Sequence, residues 1–233
     1  MRARALFALV VGLACIGAFA WWALHKAPPH GVATVTPATT NTRVSVPFVR
    51  PPIKIDSELD EDAWHNPGRT GPFHFPGSTE QARPYSDARF LRDTDNLYLA
   101  LYAADQDIHR GSDAFTLAFL DPKDGAILTM RLSVDKVVQT KRVKDGVESP
   151  WDANIRLAVD SDGTFDDPSD EDEEWIIEAA LPWKSLDVDA HTREIKASIA
   201  RCDVPKGSPE ACGEWGVGPD GGVAGVLVID GGT

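Results

Sequence analysis

The chain has 233 residues, of which 42% are hydrophobic and 25% charged, a balance typical of a globular protein that builds a core. Its formal net charge is -13; the first 26 residues carry three basic side chains and no acid, so the remainder has 20 basic and 36 acidic side chains, or -16. A body this acidic repels phosphate backbones, which argues against nucleic acid and leaves neutral ligands and cations as partners.

The N-terminus contains an apolar segment at residues 5–24, which is 20 residues without a charge and long enough to cross a bilayer as a helix. Arg2 and Arg4 precede it, so the positive-inside rule places the N-terminus in the cytoplasm and the body outside. The rival interpretation is a cleaved signal peptide, with Ala-Phe-Ala at 18–20 as the cleavage site. Residues 1–26 are therefore predicted to be a membrane anchor or a signal peptide, and either one exports the body to the periplasm or cell surface.

A spacer rich in Pro, Thr and Ala is predicted at residues 27–44, and a folded domain at 45–233. Within the domain, short apolar runs alternate with turn signals, at residues 96–104, 114–120, 127–134, 137–143, 155–159, 175–181, 195–202 and 223–229. Short helical turns are expected only at 59–64 and 183–186. Eight or more short strands indicate an all-β fold, an antiparallel β-sandwich of the jelly-roll kind.

The run at 175–181 is apolar on both faces except for Glu178, so it is predicted to be a central strand with a buried carboxylate. Such a carboxylate needs a partner. If the next strand, 195–202, pairs with it through a turn near Asp189, Glu178 falls opposite Arg201. We therefore expect an ion pair between Glu178 and Arg201 that fixes the strand register, with a direct ligand role for Arg201 as the alternative.

The body contains two cysteines, Cys202 and Cys212, and export would place them in an oxidising compartment. We predict that they form a disulfide, with a metal site as the alternative. Cys15 lies in the apolar N-terminal segment, where Gly12 stands at the position at which a lipidation motif has Leu.

Several motifs carry a family resemblance. Residues 53–64, IKIDSELDEDAW, resemble the opening "I-x-I-D-G-x-L-D-E-x-A-W" of family-9 carbohydrate-binding modules and their DOMON-like relatives, with Ser57 in place of the usual Gly. Further pieces follow in the family's order, at residues 93–99 (DTDNLYL), 113–122 (DAFTLAFLDP), 162–170 (DGTFDDPSD), 174–183 (EWIIEAALPW) and 214–216 (EWG). The resemblance covers nearly all of residues 45–230 and implies a β-sandwich. It implies less about function, since the group includes sugar binders, haem binders and modules with no known ligand.

The resemblance implies a non-catalytic module that binds a poly- or oligosaccharide, because the family grips a terminal sugar between two tryptophan rings. Trp151 and Trp215 lie near loops and are the candidates for this pair. Trp183 ends a strand, where it caps the core or lines a rim, and Arg201 is a candidate ligand for hydroxyl groups.

No cofactor is required by this prediction, but calcium is a second candidate ligand. Asp160 and Asp162 begin a dense acidic loop, and Asp56 and Asp60 belong to another acidic cluster. Oxygen ligands at such spacing suit calcium, although a full calcium-loop pattern is missing. The alternative is a solvated acidic hairpin tip.

Two other functions compete with sugar binding. A haem-binding redox module of the DOMON type would use Met130 with one of four histidines, His65, His74, His109 or His191. A structural or interaction domain would keep the sandwich without a sugar site. An enzyme is not predicted, since the sequence contains no nucleophile elbow, phosphate-binding glycine loop or metalloprotease motif.

Overall fold

The computed structural model describes residues 42–50, 52–189, 191–204 and 209–229. The predicted anchor or signal peptide lies outside this range, and the predicted spacer overlaps it only at residues 42–44. No helix among the described residues is long and apolar enough to cross a membrane.

In chain order the strands are β1 (Arg43–Ser45), β2 (Gly68–Arg69), β3 (Ser86–Arg92), β4 (Asn96–Ala104), β5 (Ala114–Leu120), β6 (Ile127–Ser133), β7 (Val138–Lys144), β8 (Val147–Ser149), β9 (Arg156–Asp162), β10 (Glu174–Pro182), β11 (Glu194–Asp203), β12 (Ala211–Trp215) and β13 (Gly225–Val228). Short 3₁₀ helices occur at Asp62–His65 and Trp183–Leu186, where helical turns were predicted.

The described strands form two sheets, which confirms the all-β prediction. The larger sheet has eight strands in the order β1-β13-β11-β5-β6-β7-β8, with β12 pairing with β11 beyond the part of β11 that pairs with β13. The smaller sheet has the order β2-β3-β4-β10-β9. All strand pairs are antiparallel except β1 with β13.

The main core lies between the two sheets and follows from the alternation of side chains along each strand. From β4 it takes Leu97, Leu99 and Leu101, and from β5 it takes Phe115, Leu117 and Phe119, all at most 1% exposed. β6, β10 and β11 contribute further buried residues, including Met130, Trp175 and Ile199. Burying each large apolar side chain contributes roughly 1.5–3 kcal/mol, so this layer is the main source of stability.

A second, smaller core covers the outer face of the five-stranded sheet. Tyr98, Ala100 and Ala180 point outward from β4 and β10 and pack under Ile53 and Trp64 of the segment that precedes β2. Both faces of β10 are therefore buried, which is why its sequence is apolar on both sides and why it reads as a central strand.

Gly216 allows the backbone after β12 to pack directly against the backbone of its neighbouring strands. Its φ is +71°, and a Cβ atom there would lie 2.6 Å from the Ala197 carbonyl oxygen and 2.9 Å from the Gly225 Cα. Both the positive φ and the close backbone contact require glycine. This turn brings β13 alongside the first half of β11 while β12 pairs with its second half.

Candidate functional site

The buried carboxylate of β10 has partners different from the one predicted. Glu178 is fully buried, and its Oε2 accepts hydrogen bonds from the backbone N–H groups of Asp56 and Ser57, at 2.9 and 2.8 Å. Its Oε1 accepts a bond from the indole Nε1 of Trp64, at 3.1 Å. Burial raises the pKa of Glu178, and the three donors oppose this shift. Glu178 thus attaches the segment before β2 to the outer face of the five-stranded sheet.

The predicted ion pair between Glu178 and Arg201 was wrong. β10 and β11 are consecutive, but they lie in different sheets, and Glu178 faces Ala100 of β4 and Ala158 of β9 in the register. The error came from assuming that strands adjacent in sequence also pair, which holds only about two-thirds of the time. The short helix Trp183–Leu186 follows β10, and the chain then crosses to the other sheet.

Arg201 lies between the sheets and is 3% exposed. Its Nη2 donates to Asp105 Oδ2 at 2.8 Å and lies 3.4 Å from Asp203 Oδ1. Its Nη1 donates to the Ala104 carbonyl at 3.0 Å and to Ser86 Oγ at 3.3 Å. Because Asp105, Ala104 and Ser86 belong to the opposite layer, Arg201 connects the two sheets through charge-assisted bonds.

Three buried aspartates surround this end of the sandwich. Asp105 follows β4, Asp113 precedes β5 and Asp203 ends β11; each is 2–3% exposed, and one ligand oxygen from each lies within 4.8 Å of the others. Burial raises the pKa of Asp113 to about 7, with the charges of Asp105 and Asp203 adding to the shift. Burial likewise raises the pKa of Asp203 to about 6, although the Arg201 guanidinium opposes it.

A cavity of about 880 Å³ opens next to this cluster. Four segments line it, at residues 83–85, 104–106, 171–173 and 209–211. The charged groups of the lining are five acids and one base, namely Asp105, Glu171, Asp172, Glu173, Glu210 and Arg83. The wall is therefore strongly acidic, and it suits neutral or cationic ligands better than anions.

Tyr85 is the aromatic residue among those that line the cavity. The residue is half-buried, and its hydroxyl donates to Asp87 Oδ2 at 3.0 Å. Its ring packs edge-to-face against Tyr102, with 5.8 Å between the ring centroids. These two contacts fix the orientation of the ring.

The acidic segment on one side of the cavity is held by a buried side chain. Asp172 accepts hydrogen bonds from the backbone N–H of Ile108 and of Thr164, both at 2.7 Å. Asp166, earlier in the loop between β9 and β10, accepts bonds from the backbone N–H and the guanidinium of Arg110, both at 3.0 Å. These two acids therefore hold the loop itself in place.

The structure does not bring the four predicted sugar-binding residues into one open groove. Trp215 is 4% exposed and packs in the core beside Phe90, and Arg201 is equally buried. Trp151 is half-buried, and its Nε1 donates to the Ser185 carbonyl at 2.9 Å. Trp183 is 9% exposed and borders a separate cavity of about 430 Å³, where Lys184 is a neighbour.

The four aspartates predicted to bind calcium belong to no cluster of three or more acidic, histidine or cysteine ligands within the described part of the chain. Asp60, Asp160 and Asp162 are exposed, and Asp56 forms an ion pair with Lys54. The cluster that does assemble consists of Asp105, Asp113 and Asp203.

The structure also bears on the predicted disulfide and on Met130. The disulfide between Cys202 and Cys212 is confirmed, and it joins directly opposed residues of β11 and β12 next to Asp203. Met130, the residue on which the haem alternative depended, is fully buried in the core between the sheets.

Sequence reasoning missed the residues that form this site. Asp105 and Asp113 each stand directly beside an apolar run that was recognised as a strand, and a polar side chain at the buried end of a strand is the signal that could have found them. Tyr85 was missed because β3, which it precedes, was not predicted at all.

These features define a class: a two-layer, mostly antiparallel β-sandwich with an acidic cavity beside a buried charge cluster. Comparison with solved structures places the fold among carbohydrate-binding modules, as the motif resemblance implied. No protein-family profile matches the chain, and no curated protein matches it.

One similar structure is a family-9 carbohydrate-binding module from Caldicellulosiruptor kristjanssonii in complex with cellotriose. Its TM-score is 0.57 at 16% identity, over 82% of this chain and 95% of that one. A family-9 module from the same organism in complex with glucose has a TM-score of 0.56 at 14% identity, over 82% and 97% of the two chains. A protein from Bacteroides uniformis has a TM-score of 0.55 at 11% identity, over 81% and 99%. At such identities the likeness concerns the fold alone.

Proposed function

We propose that this protein is a non-catalytic carbohydrate-binding module whose site is the cavity beside Tyr85. The likeness of its fold to modules solved with cellotriose and glucose supports the class of ligand. The apolar segment at residues 5–24 supports an exported, membrane-tethered location, with a secreted form after signal cleavage as the alternative.

The observation that carries the proposal is the composition of the cavity. A pyranose ring offers a C–H face that packs on an aromatic ring and a rim of hydroxyl groups that need acceptors and donors. Tyr85, Gln106 and the acidic residues 171–173 all line this cavity of about 880 Å³. That volume falls in the range of roughly 300–1,000 Å³ typical of small-ligand sites.

The chemistry of the wall favours binding without a reaction. Asp105 is a buried carboxylate of the wall, and its Oδ2 already accepts bonds from Arg201 at 2.8 Å and from Trp175 Nε1 at 2.9 Å. This carboxylate is held by two donors inside the protein, so its Oδ2 is occupied and is not turned toward a ligand in the cavity. It shapes the wall and leaves the exposed acids to accept hydroxyl bonds.

The proposal is tested by isothermal titration of the full-length chain in a mild detergent with neutral mono- and oligosaccharides. Tyr85→Ala removes the ring and is expected to weaken binding about 10-fold or more, since an aromatic ring that packs on the sugar contributes roughly 1–2 kcal/mol to the free energy of binding. Tyr85→Phe, which keeps the ring, is expected to retain most of the affinity. Lys184→Ala, at the smaller cavity, is the matched control and should bind like the wild type.

A second candidate function is an interaction sandwich without a sugar site. The observation in its favour is that all five tryptophans of the described residues are buried or half-buried, and four of them donate their indole N–H within the protein. Absence of binding heat across the saccharide panel, with a folded protein, would favour this candidate over the first.

A further inference from the structure

The three buried aspartates have the spacing of ligands around a single ion. Oxygen ligands of calcium lie about 2.3–2.6 Å from the ion, so two on opposite sides are separated by roughly 4.6–5.2 Å. In the cluster of Asp105, Asp113 and Asp203, one oxygen from each residue lies within 4.8 Å of the other two. All three side chains are withdrawn from solvent, with exposures of 2–3%.

The charge of the cluster is not balanced by the protein. When ionised, three carboxylates face one guanidinium, that of Arg201, which lies 2.8 Å from Asp105 and 3.4 Å from Asp203. A formal charge of about -2 then remains in a buried place, where an uncompensated charge is costly. The His109 imidazole lies 3.4 Å from Asp107 and 3.6 Å from Asp166 and also interacts electrostatically with Asp113 and Asp203, so its one charge is shared among several acids.

One oxygen of the cluster also lacks a partner. Asp203 Oδ2 is inaccessible to solvent and has no hydrogen-bond partner among the described residues. Buried polar atoms are nearly always satisfied in folded proteins, so such an atom calls for a ligand. This observation is separate from the spacing and points to the same place.

We propose that Asp105, Asp113 and Asp203 bind a divalent cation, with calcium as the best match. The donors are all oxygens, which suit calcium, magnesium or manganese and disfavour zinc and copper. Calcium accepts irregular geometry and 6–8 ligands, whereas magnesium demands a near-ideal octahedron. Asp105 also borders the open cavity, so water can reach that side of the cluster and complete the coordination.

A bound ion would join the two layers of the sandwich. Asp105 directly follows β4 of the five-stranded sheet, while Asp113 directly precedes β5 and Asp203 ends β11 of the eight-stranded sheet. The ion would neutralise the remaining charge and attach the disulfide-bonded end of β11 to the wall of the cavity. It would stabilise the folded state by mass action, because the unfolded chain does not assemble the three ligands.

The experiment uses the full-length chain, stripped of metal with EDTA and dialysed at pH 7.5. Calcium chloride is added during thermal unfolding, and Tb³⁺ is titrated as a luminescent calcium substitute. Calcium at 100-fold above its dissociation constant should lower the apparent unfolding constant about 100-fold and raise Tm. Terbium emission should be sensitised by Trp175, because its indole is bonded to the proposed ligand Asp105 at 2.9 Å.

Asp113→Asn and Asp203→Asn are each expected to weaken calcium binding at least about 10-fold, since each removes a charged ligand. Asp160→Asn, which changes an exposed acid of β9, is the matched control and should keep the wild-type response. Near-ultraviolet circular dichroism checks that each variant is folded, and Trp175→Phe tests the terbium signal without removing a ligand. No stabilisation by millimolar calcium in the wild type, or an unchanged response in both ligand variants, would overturn the proposal.

Discussion

Glu178 illustrates how one buried charge can be satisfied without an opposite charge. Three N–H donors, two from the backbone of residues 56 and 57 and one from Trp64, converge on its carboxylate. Charge-assisted bonds of this kind are stronger than neutral ones, and together they offset much of the cost of burial. The same side chain therefore attaches the N-terminal segment and orients the indole of the second core.

Replacing Glu178 by Ala should destabilise the protein by about 3 kcal/mol or more, because two buried donors and one part-buried donor lose their acceptor and a cavity forms. Glu178→Gln keeps one acceptor oxygen but turns an N–H₂ group toward one of the donors. Adding Trp64→Phe removes one of those donors, so the double variant should lose less stability than the sum of the single variants. Urea unfolding measures these differences; a loss below about 1 kcal/mol for Glu178→Ala would contradict the assignment, and Asp160→Ala serves as an exposed control.

At the scale of elements, the ends of β4, β5 and β11 carry the acidic cluster, so their contact depends on pH. The pKa values of Asp113 and Asp203 are raised to about 7 and about 6, so the folded protein keeps protons that the unfolded chain releases near its ordinary pKa of 3.8. The contribution of these two carboxyl groups to stability is therefore greatest at low pH and falls as pH rises toward about 7. Above that pH the two carboxylates are ionised and the strand ends repel one another.

In calcium-free buffer, the free energy of unfolding should fall by roughly 2 kcal/mol or more between pH 5 and pH 8. Asp113→Asn, which cannot ionise, should flatten this slope and be more stable than the wild type at pH 8. Some slope should remain from Asp203 and from Glu178, whose pKa is raised by burial. Urea unfolding across this range measures the effect, and a wild-type stability that rises with pH would have the wrong sign.

The strands themselves were largely predictable, and their partners were not. β4 and β5 match the predicted bounds, since their alternating Leu and Phe side chains face one core. β3 was missed because Asp87, Arg89 and Arg92 interrupt its apolar pattern, although Asp87 and Arg92 are buried and Asp87 lies 3.5 Å from Arg89. A local pattern reports burial of a face but contains no information on which strand of which sheet will neutralise a charge.

The site was less predictable than the fold for the same reason. The tryptophans were singled out for their rings, but the sandwich uses Trp64 and Trp175 as donors to buried carboxylates and Trp215 as core. The cavity instead combines residues from four segments that are distant in sequence. Such an arrangement depends on the packing of both sheets, which no short window of sequence encodes.

At the scale of the whole molecule, net charge and cavity charge have the same sign. The body outside the first 26 residues carries 20 basic and 36 acidic side chains, or -16. The cavity repeats this imbalance, with five acids against Arg83. The long-range field therefore lowers the local concentration of anions before any contact forms, and the wall repels them again at short range.

If the cavity binds saccharides, it should discriminate by charge. A neutral gluco-oligosaccharide should bind about 10-fold or more tightly than an oligouronate of equal length at low ionic strength. Isothermal titration at about 20 mM and about 500 mM salt measures the affinity for each ligand. The difference in affinity should become smaller at high salt, because the Debye length shortens to a few ångströms.

The variant Glu173→Gln/Glu210→Gln removes two exposed charges of the cavity and should reduce the difference in affinity between the two ligands at low salt. Glu58 is an exposed acid that does not line the cavity, so Glu58→Gln should leave this difference unchanged. Equal binding of the two ligands by the wild type would show that the acidic wall does not contact the ligand. Binding of neither ligand would instead count against saccharide recognition, so the two failures are distinguishable. A smaller affinity difference in Glu173→Gln/Glu210→Gln would show that the charge of the wall, rather than the ring of Tyr85, selects among sugars of similar shape.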